Sequence, residues 1–582
     1  MTLDELTLRN LNRLGKAMSE FCDQQIAPRP PDVVMRLERL GAAHATRLSF
    51  MRQLLRRMRA ENWSVSCTGF DIDARGVGTA TYTGRGPDHA YTLVAFAHDL
   101  PPEQRTDRVI ATAWDATFTL FDGVPDADDL TRLRANVPGQ EAGRLSGREL
   151  TLARANRSTR LWDHVVDALA RGQQPDPGRV AEVGYLMRTT AVYGSGKFGA
   201  ADRMLTCARP ECAAPFQLEM LTVYLIRCFV LDLVEHMARM QAPRTAVPLA
   251  PTLRRRFGIG NSTGLGMAPF LVNHPALLHR WIAAREQALA RIRSQPQGSE
   301  DRLQTLRTLV HRAARLAADW RTGHPLQAPR VVGLRADLSL LESHLSGLSP
   351  HIRDPWNTLW LWAEDHLSVE GQEQLLALLL ELYPDFVDDL AGDMAVDERD
   401  SFTIDGAMPL HDLRAILQDV YAAALNTDWD ARAAQARIWY VSEAKLEPRL
   451  GERFEEDLDR YEQPLDTHRA AAALHAALDD HPPGTVADFL LRHPDHRHTV
   501  RRAQIAAHLP YSEIRDNTLA ADMRPIDMLR LKLSFFGAAH FDPRSDRWVR
   551  INMYQNAPFP GELQTDLADD WTLPPALPRI PA

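Results

Sequence analysis

From Phe216 to Met240 the chain runs apolar for about seven helical turns, interrupted by Glu219, Arg227, Asp232 and Glu235. Those charges exclude a membrane span, which needs roughly 18 or more consecutive apolar residues. The run therefore predicts a helix buried inside protein, with the rest of the chain supplying its walls. At 100° per residue, Asp232, Glu235, His236 and Arg239 share one sector, the ordinary polar side near a helix end. Glu219 and Arg227 fall instead with Val230, Val234 and Met237, so both are expected among apolar neighbours. An ionised group there must be paired or change its protonation.

Two glycine-dense stretches flank this helix: YGSGKFG at 193–199 and GIGNSTGLG at 258–266. Glycine permits positive φ and lets backbone N–H groups converge on an anion. In the first stretch Ser195 donates and Lys197 supplies charge, with Arg188 just upstream. It is not a phosphate-binding P-loop, because Lys197 is followed by Phe198. In the second, Asn261, Ser262 and Thr263 are consecutive donors ahead of MAPFLV, which reads as the start of a buried element. A loop entering a helix there would aim free N–H groups at an anion.

These residues predict a site for a small carboxylate or phosphate. Ser195, Lys197, Asn261, Ser262, Thr263 and Arg188 would hold the anion, Arg227 would clamp it, and Glu219 and Tyr193 would move protons. No Gly-x-Ser-x-Gly elbow or His-Glu-x-x-His pair occurs, so a lyase, isomerase or decarboxylase is the expected class. Each feature has a structural counterpart: glycine turns and caps for the loops, and an ion network between packed helices for Glu219 and Arg227. The main alternative is thus a non-catalytic helical binding or scaffold protein.

Gly260, Gly264 and Gly266 in G-x-x-x-G-x-G spacing, with Tyr193 and Lys197 in Y-x-x-x-K spacing, resemble short-chain dehydrogenase signatures. That family places its glycine motif after the first strand and upstream of the tyrosine. Here the order is reversed and RRRF precedes the glycines, so a nicotinamide-dependent oxidoreductase is a minor alternative and no cofactor is expected. Cys207 and Cys212 are too few for a zinc site, and His493, His496 and His498 lie in polar sequence, so no metal is expected either.

With 582 residues the chain exceeds one core. Composition divides it into an N-terminal α+β domain at 1–130, a helical domain at 131–300 carrying both glycine-rich stretches, a helical region at 301–480, and a segment at 481–582 with a helix, a β-ribbon and a proline-rich tail. Period-two alternation over 63–122 predicts an antiparallel meander, while 128–190 reads as helical. The expected fold class is α+β, predominantly α-helical: a large helical body, a small antiparallel sheet near 63–122 and a C-terminal β-ribbon. The net charge of −9, with both signs interspersed, gives no nucleic-acid footprint. Five scattered cysteines and no apolar leader predict a cytoplasmic chain without a membrane partner, in which a homo-oligomer is compatible with the pattern.

Overall fold

The computed structural model describes residues 26–573 apart from 102, 104–112, 140–144, 194–205, 207, 213, 215, 262–274, 321, 323–326, 350, 395–401, 431–439, 442–447, 450–466, 517–524, 543–549 and 566–568. It is an α+β protein dominated by helices, as its periodicity predicts. No helix among the described residues is long and apolar enough to cross a membrane.

The sheet is larger than the meander read from the sequence. Among the described residues it has nine strands in spatial order β1-β2-β3-β4-β5-β6-β7-β11-β10. β1 (Ser64–Ile72), β2 (Gly78–Arg85), β3 (Ala90–Ala97) and β4 (Ala116–Asp122) form the expected meander. β5 (Glu149–Arg157) and β6 (Tyr185–Tyr193) continue it antiparallel, where helix was expected. β7 (Gly258–Asn261) then joins β6 in parallel, and β11 (Arg550–Met553) and β10 (Ala538–Asp542) complete the sheet. The C-terminal ribbon is therefore part of the main sheet, whose strands come from three of the four stretches marked by composition. A two-stranded ribbon, β8 (Tyr440–Val441) with β9 (Pro448–Arg449), stands apart from it.

Helices cover both faces. α1 (Phe50–Ala60) precedes the sheet, and α2 (Ala127–Asn136) closes a small apolar patch of Val94, Phe96, Phe121 and Leu152 on one face. α3 (Trp162–Ala170) and α4 (Pro177–Val183) link β5 to β6. Gly184 ends α4 in a left-handed conformation (φ 71°), and a Cβ there would come within 2.2 Å of Asn552 Nδ2, so only glycine fits between α4 and β11.

The predicted central helix is α5 (Gln217–Gln241). It is buried along most of its length because it lies between the other sheet face and α1 and α3. Phe229 meets Phe118 of β4 edge-on, and Tyr82 of β2 donates to Asp232 (2.7 Å). Pro243 ends the run by disfavouring helix at the residue before it. α6 (Pro251–Arg256) leads directly into β7.

The helical body comprises α7 (Pro275–Arg293), α8 (Glu300–Ala318), α9 (Ala328–Gly347), α10 (Pro355–His366), α11 (Val369–Leu382) and α12 (Pro384–Ala391). A charged cluster sits inside it: Arg29 donates to Glu286 (2.8 and 2.9 Å) and Glu373 (2.8 and 3.2 Å), and Arg285 donates to Glu286. α13 (Leu410–Val420), α14 (Thr467–Asp479), α15 (Val486–Arg492) and α16 (Arg497–His508) surround a separate small core of Leu413, Leu417, Leu474, Phe489 and Val500. α17 (Pro525–Phe536) returns to the main core, where Phe535 stacks on Trp281 at 3.6 Å.

Candidate functional site

The parallel pair β6–β7 sets the geometry of the site. Arg188 lies opposite Gly260 and Thr189 opposite Asn261. Because the strands run the same way, β6 and β7 point toward the same end of the sheet. β7 leaves it level with Thr189, four residues or ~13 Å before β6 does. Ser195, Lys197, Ser262 and Thr263 lie outside the described residues. The strands that deliver them are neighbours, although more than sixty residues separate them in sequence.

The glycines of the second stretch divide by role. A Cβ on Gly260 would come within 2.7 Å of the Tyr185 ring, and one on Gly258 within 2.5 Å of the Met553 carbonyl. Those two are required by packing inside a strand, and the loop expected at 258–261 is β7.

The first turn of α5 comes to this same end. The Thr151 and Thr222 hydroxyls are 2.8 Å apart, and Thr151 precedes Leu152, the register partner of Tyr193. Glu219, one turn before Thr222, is buried as the sequence predicted. An acid in a helix first turn also offsets the positive end of the helix dipole.

The two arginines stand elsewhere. Arg188 is buried and pairs in register with Asn156, which lies on the sheet face opposite Thr151 and α5. It is thus on the other side of the sheet from Glu219. Arg227 is 1 % exposed and donates to the main-chain carbonyls of Phe257 (2.7 Å), Ala557 (3.0 Å) and Arg255 (3.2 Å), with Phe559 stacked on its guanidinium at 4.0 Å. Burial lowers its pKa to about 10, and the group stitches the α6–β7 junction to the C-terminal segment. The sequence reading put Arg227 among apolar neighbours, and it is buried, but it sits at the start of β7 and not at the end marked by Asn261.

Three residues beyond the level of Tyr193, the Tyr91–Asp122 end of the sheet gathers residues that sequence spacing did not connect. Between α5 and the segment before it is the short 3₁₀ turn Pro210–Cys212. Tyr91, at the start of β3, donates to Glu211 Oε1 (2.6 Å), and His89 Nδ1 lies 2.7 Å from the same oxygen. Arg209 holds both oxygens of Asp122 at 2.8 Å and donates to the Tyr91 hydroxyl at 3.2 Å. The Cys212 sulfur is 3.5 Å from that hydroxyl. Trp63 stacks over Tyr91 with centroids 6.0 Å apart. Burial, together with Cys212 and Glu211 beside it, raises the Tyr91 pKa, and burial pushes the Cys212 thiol up to about 12. Both therefore stay protonated at neutral pH. Cys207, paired with Cys212 in the sequence argument, is outside the described residues. No motif connects these residues, because His89 and Glu211 are 122 positions apart and only the fold joins them.

At the opposite sheet end, Asp115 accepts from the Arg157 main chain (2.9 Å) while Asn156 accepts from its own N–H (2.9 Å). His98 shares a hydrogen bond with Thr117 (3.0 Å), and burial lowers its pKa. Two clefts lie away from the strand exits. One, of about 610 Å³, opens among Pro28, Arg291, Phe386 and Asp389; the other, of about 340 Å³, is bounded by Cys67, Tyr82, Cys228, Asp232, Arg254 and Phe559. Among the described residues no group of three or more His, Cys, Asp or Glu is gathered to hold a metal. Comparison with protein-family models, with curated proteins and with solved structures finds no match to this chain.

Proposed function

We propose that the chain is an enzyme acting by acid/base chemistry on a small carboxylate- or phosphate-bearing metabolite, of the lyase, isomerase or decarboxylase type. One observation supports the reading: β6 and β7 are parallel neighbours, so the strands that precede the two glycine-rich segments, with their hydroxyl, amide and ammonium donors, point the same way. In open α/β sheets ligands collect beyond the carboxyl ends of parallel strands, and β6–β7 is the parallel pair among the described strands of the sheet. Ser195, Lys197, Asn261, Ser262 and Thr263 are the proposed anion donors, with Glu219 and Tyr193 as proton-transfer groups. Arg188 and Arg227 have structural places of their own and supply no clamp in this reading.

A screen of carboxylates and phosphates by thermal shift tests it. A ligand at a hundred times its Kd stabilises the fold by about 2.7 kcal/mol. Lys197→Ala and Asn261→Ala should each abolish that gain while leaving the unliganded melting temperature close to wild type. If both variants keep the full response, the anion is bound somewhere else.

A second reading, a non-catalytic helical binding or scaffold protein, is favoured by the packing role of Gly258 and Gly260 and by the carbonyl contacts of Arg227. Under it, no carboxylate or phosphate stabilises the wild type.

A further inference from the structure

Asp232 of α5 is held from two directions that the strand order sets far apart. Tyr82 of β2 donates to its Oδ2, and Arg254 of α6, which leads into β7, donates to its Oδ1, both at 2.7 Å. β2 and β7 are five places apart in the sheet, ~24 Å if it were flat. Both side chains reach one carboxylate because the sheet curls around α5. The curl stays open: among the described residues no strand lies outside β1, and the cleft of about 340 Å³ separates β1 from the segment 559–562 that follows β11. That volume is at the lower end of those that take small ligands.

The lining of this seam selects a ligand class. Val65, Cys67, Cys228 and Phe559 make an apolar wall. Burial raises both thiols, Cys228 to about 12, so the wall carries no charge at neutral pH. Cys228 is 8 % exposed, and its thiol bonds to no other residue among those described. The polar groups with capacity to spare are acceptors. Each Asp232 oxygen keeps a lone pair after Tyr82 and Arg254 are served. Glu562 accepts from the Phe559 main chain through Oε2 (2.8 Å), and its Oε1 has no hydrogen-bond partner among the described residues. The neighbouring cations are already engaged. Arg254 also donates to Glu235 (2.8 Å), Arg255 stands 3.7 Å from Glu562, and Arg227 lies behind the Phe559 ring with its donors on three carbonyls. An anion entering here would meet Asp232 and Glu562, whereas an ammonium group brings three donors to them.

We propose that the seam cleft binds a small organic ammonium ion with a short apolar chain, the charged group on the acidic side formed by Asp232 and Glu562 and the chain on the thiol-bearing wall. Tyr82 and Arg254 hold the Asp232 carboxylate in place before the ligand arrives. The site is separate from the strand exits of β6 and β7, so it and the anion reading can fail independently.

Cys67 is exposed on the cleft wall and serves as the reporter. The measurement is its rate of alkylation by iodoacetamide in the full chain, resolved by peptide mapping, with n-butylammonium chloride and with n-butanol and sodium butyrate as the neutral and anionic counterparts. Butylammonium at ten times its Kd should slow alkylation about tenfold. Butanol and butyrate at the same concentration should leave the rate unchanged. Glu562→Gln, at the partly exposed rim, should weaken butylammonium about fivefold. Asp232→Asn should remove the protection. Equal protection by butanol shows an apolar cleft without a charge site and overturns the proposal. So does an unchanged butylammonium affinity in Glu562→Gln, or no protection at any concentration that leaves the protein folded.

Discussion

The ion cluster inside the helical body and the polar cluster at the end of the sheet are built on different plans. In the body, Glu286 and Glu373 are enclosed by Arg29 and Arg285, all nearly inaccessible to water. The partners have proton affinities so far apart that no proton is shared near neutrality. At the sheet end, an imidazole, a carboxylate, a phenol, a thiol and a guanidinium stand together, and the imidazole reaches solvent. The first plan fixes how helices sit. The second leaves a partly exposed imidazole beside a nearly buried carboxylate.

The sharpest way to break this contrast is to remove Glu286. Glu286→Ala leaves Arg29 and Arg285 short of a carboxylate in the interior, and should cost about 3–5 kcal/mol in denaturant unfolding. A loss below about 1 kcal/mol would mean that the cluster is not closed.

Acid titration probes the same group without mutation. Burial acts to raise the Glu286 pKa, but the charges and hydrogen bonds of Arg29 and Arg285 outweigh it and bring it from 4.5 down to about 2. A folded-state value below the unfolded one gives stability that is complete above pH 4.5 and is lost as pH falls toward 2. Buried His44 and His468 and half-buried His279, each lowered from 6.5 to about 4 chiefly by desolvation, add a loss between those values. Denaturant midpoints should therefore fall in two stages on acidification, and Glu286→Gln should flatten only the lower stage.

The sheet end should respond less. Asp122 and Arg209 form a bidentate but partly exposed pair, so Asp122→Ala should cost about 1 kcal/mol or less. Smallest of all, Glu211→Gln keeps an acceptor for Tyr91 and should alter stability by no more than about 1 kcal/mol. A large loss in either variant would show that this cluster holds the fold as the body's cluster does.

What the sequence made legible follows from side-chain periodicity. β2 alternates threonines with small or aromatic residues, and α5 announces itself by unbroken apolar length, so both are readable. β5 is not, because it is covered on both faces and its run ELTLARANR is buried almost throughout, which removes the two-residue period. β7 escaped for the opposite reason: two of its four residues have no side chain, and the crowding by Tyr185 and Met553 that demands glycine lies far away in sequence. At the site, burial of Glu219 and Arg227 was readable from helix phase. That Arg227 would spend its donors on carbonyls at 255, 257 and 557 was not, since no local pattern encodes contacts across 330 positions. The Tyr91–Glu211–His89 unit was hidden in the same way.

The late arrival of β11 bears on how the chain is made. β7 is complete at residue 261, yet its outer hydrogen-bonding edge is covered only by Arg550–Met553. At ~5–20 residues per second a ribosome needs roughly 15–60 s to cross that gap. Throughout it a nascent chain presents a bare strand margin to its neighbours, and a chaperone that shields this margin would raise the yield of folded protein.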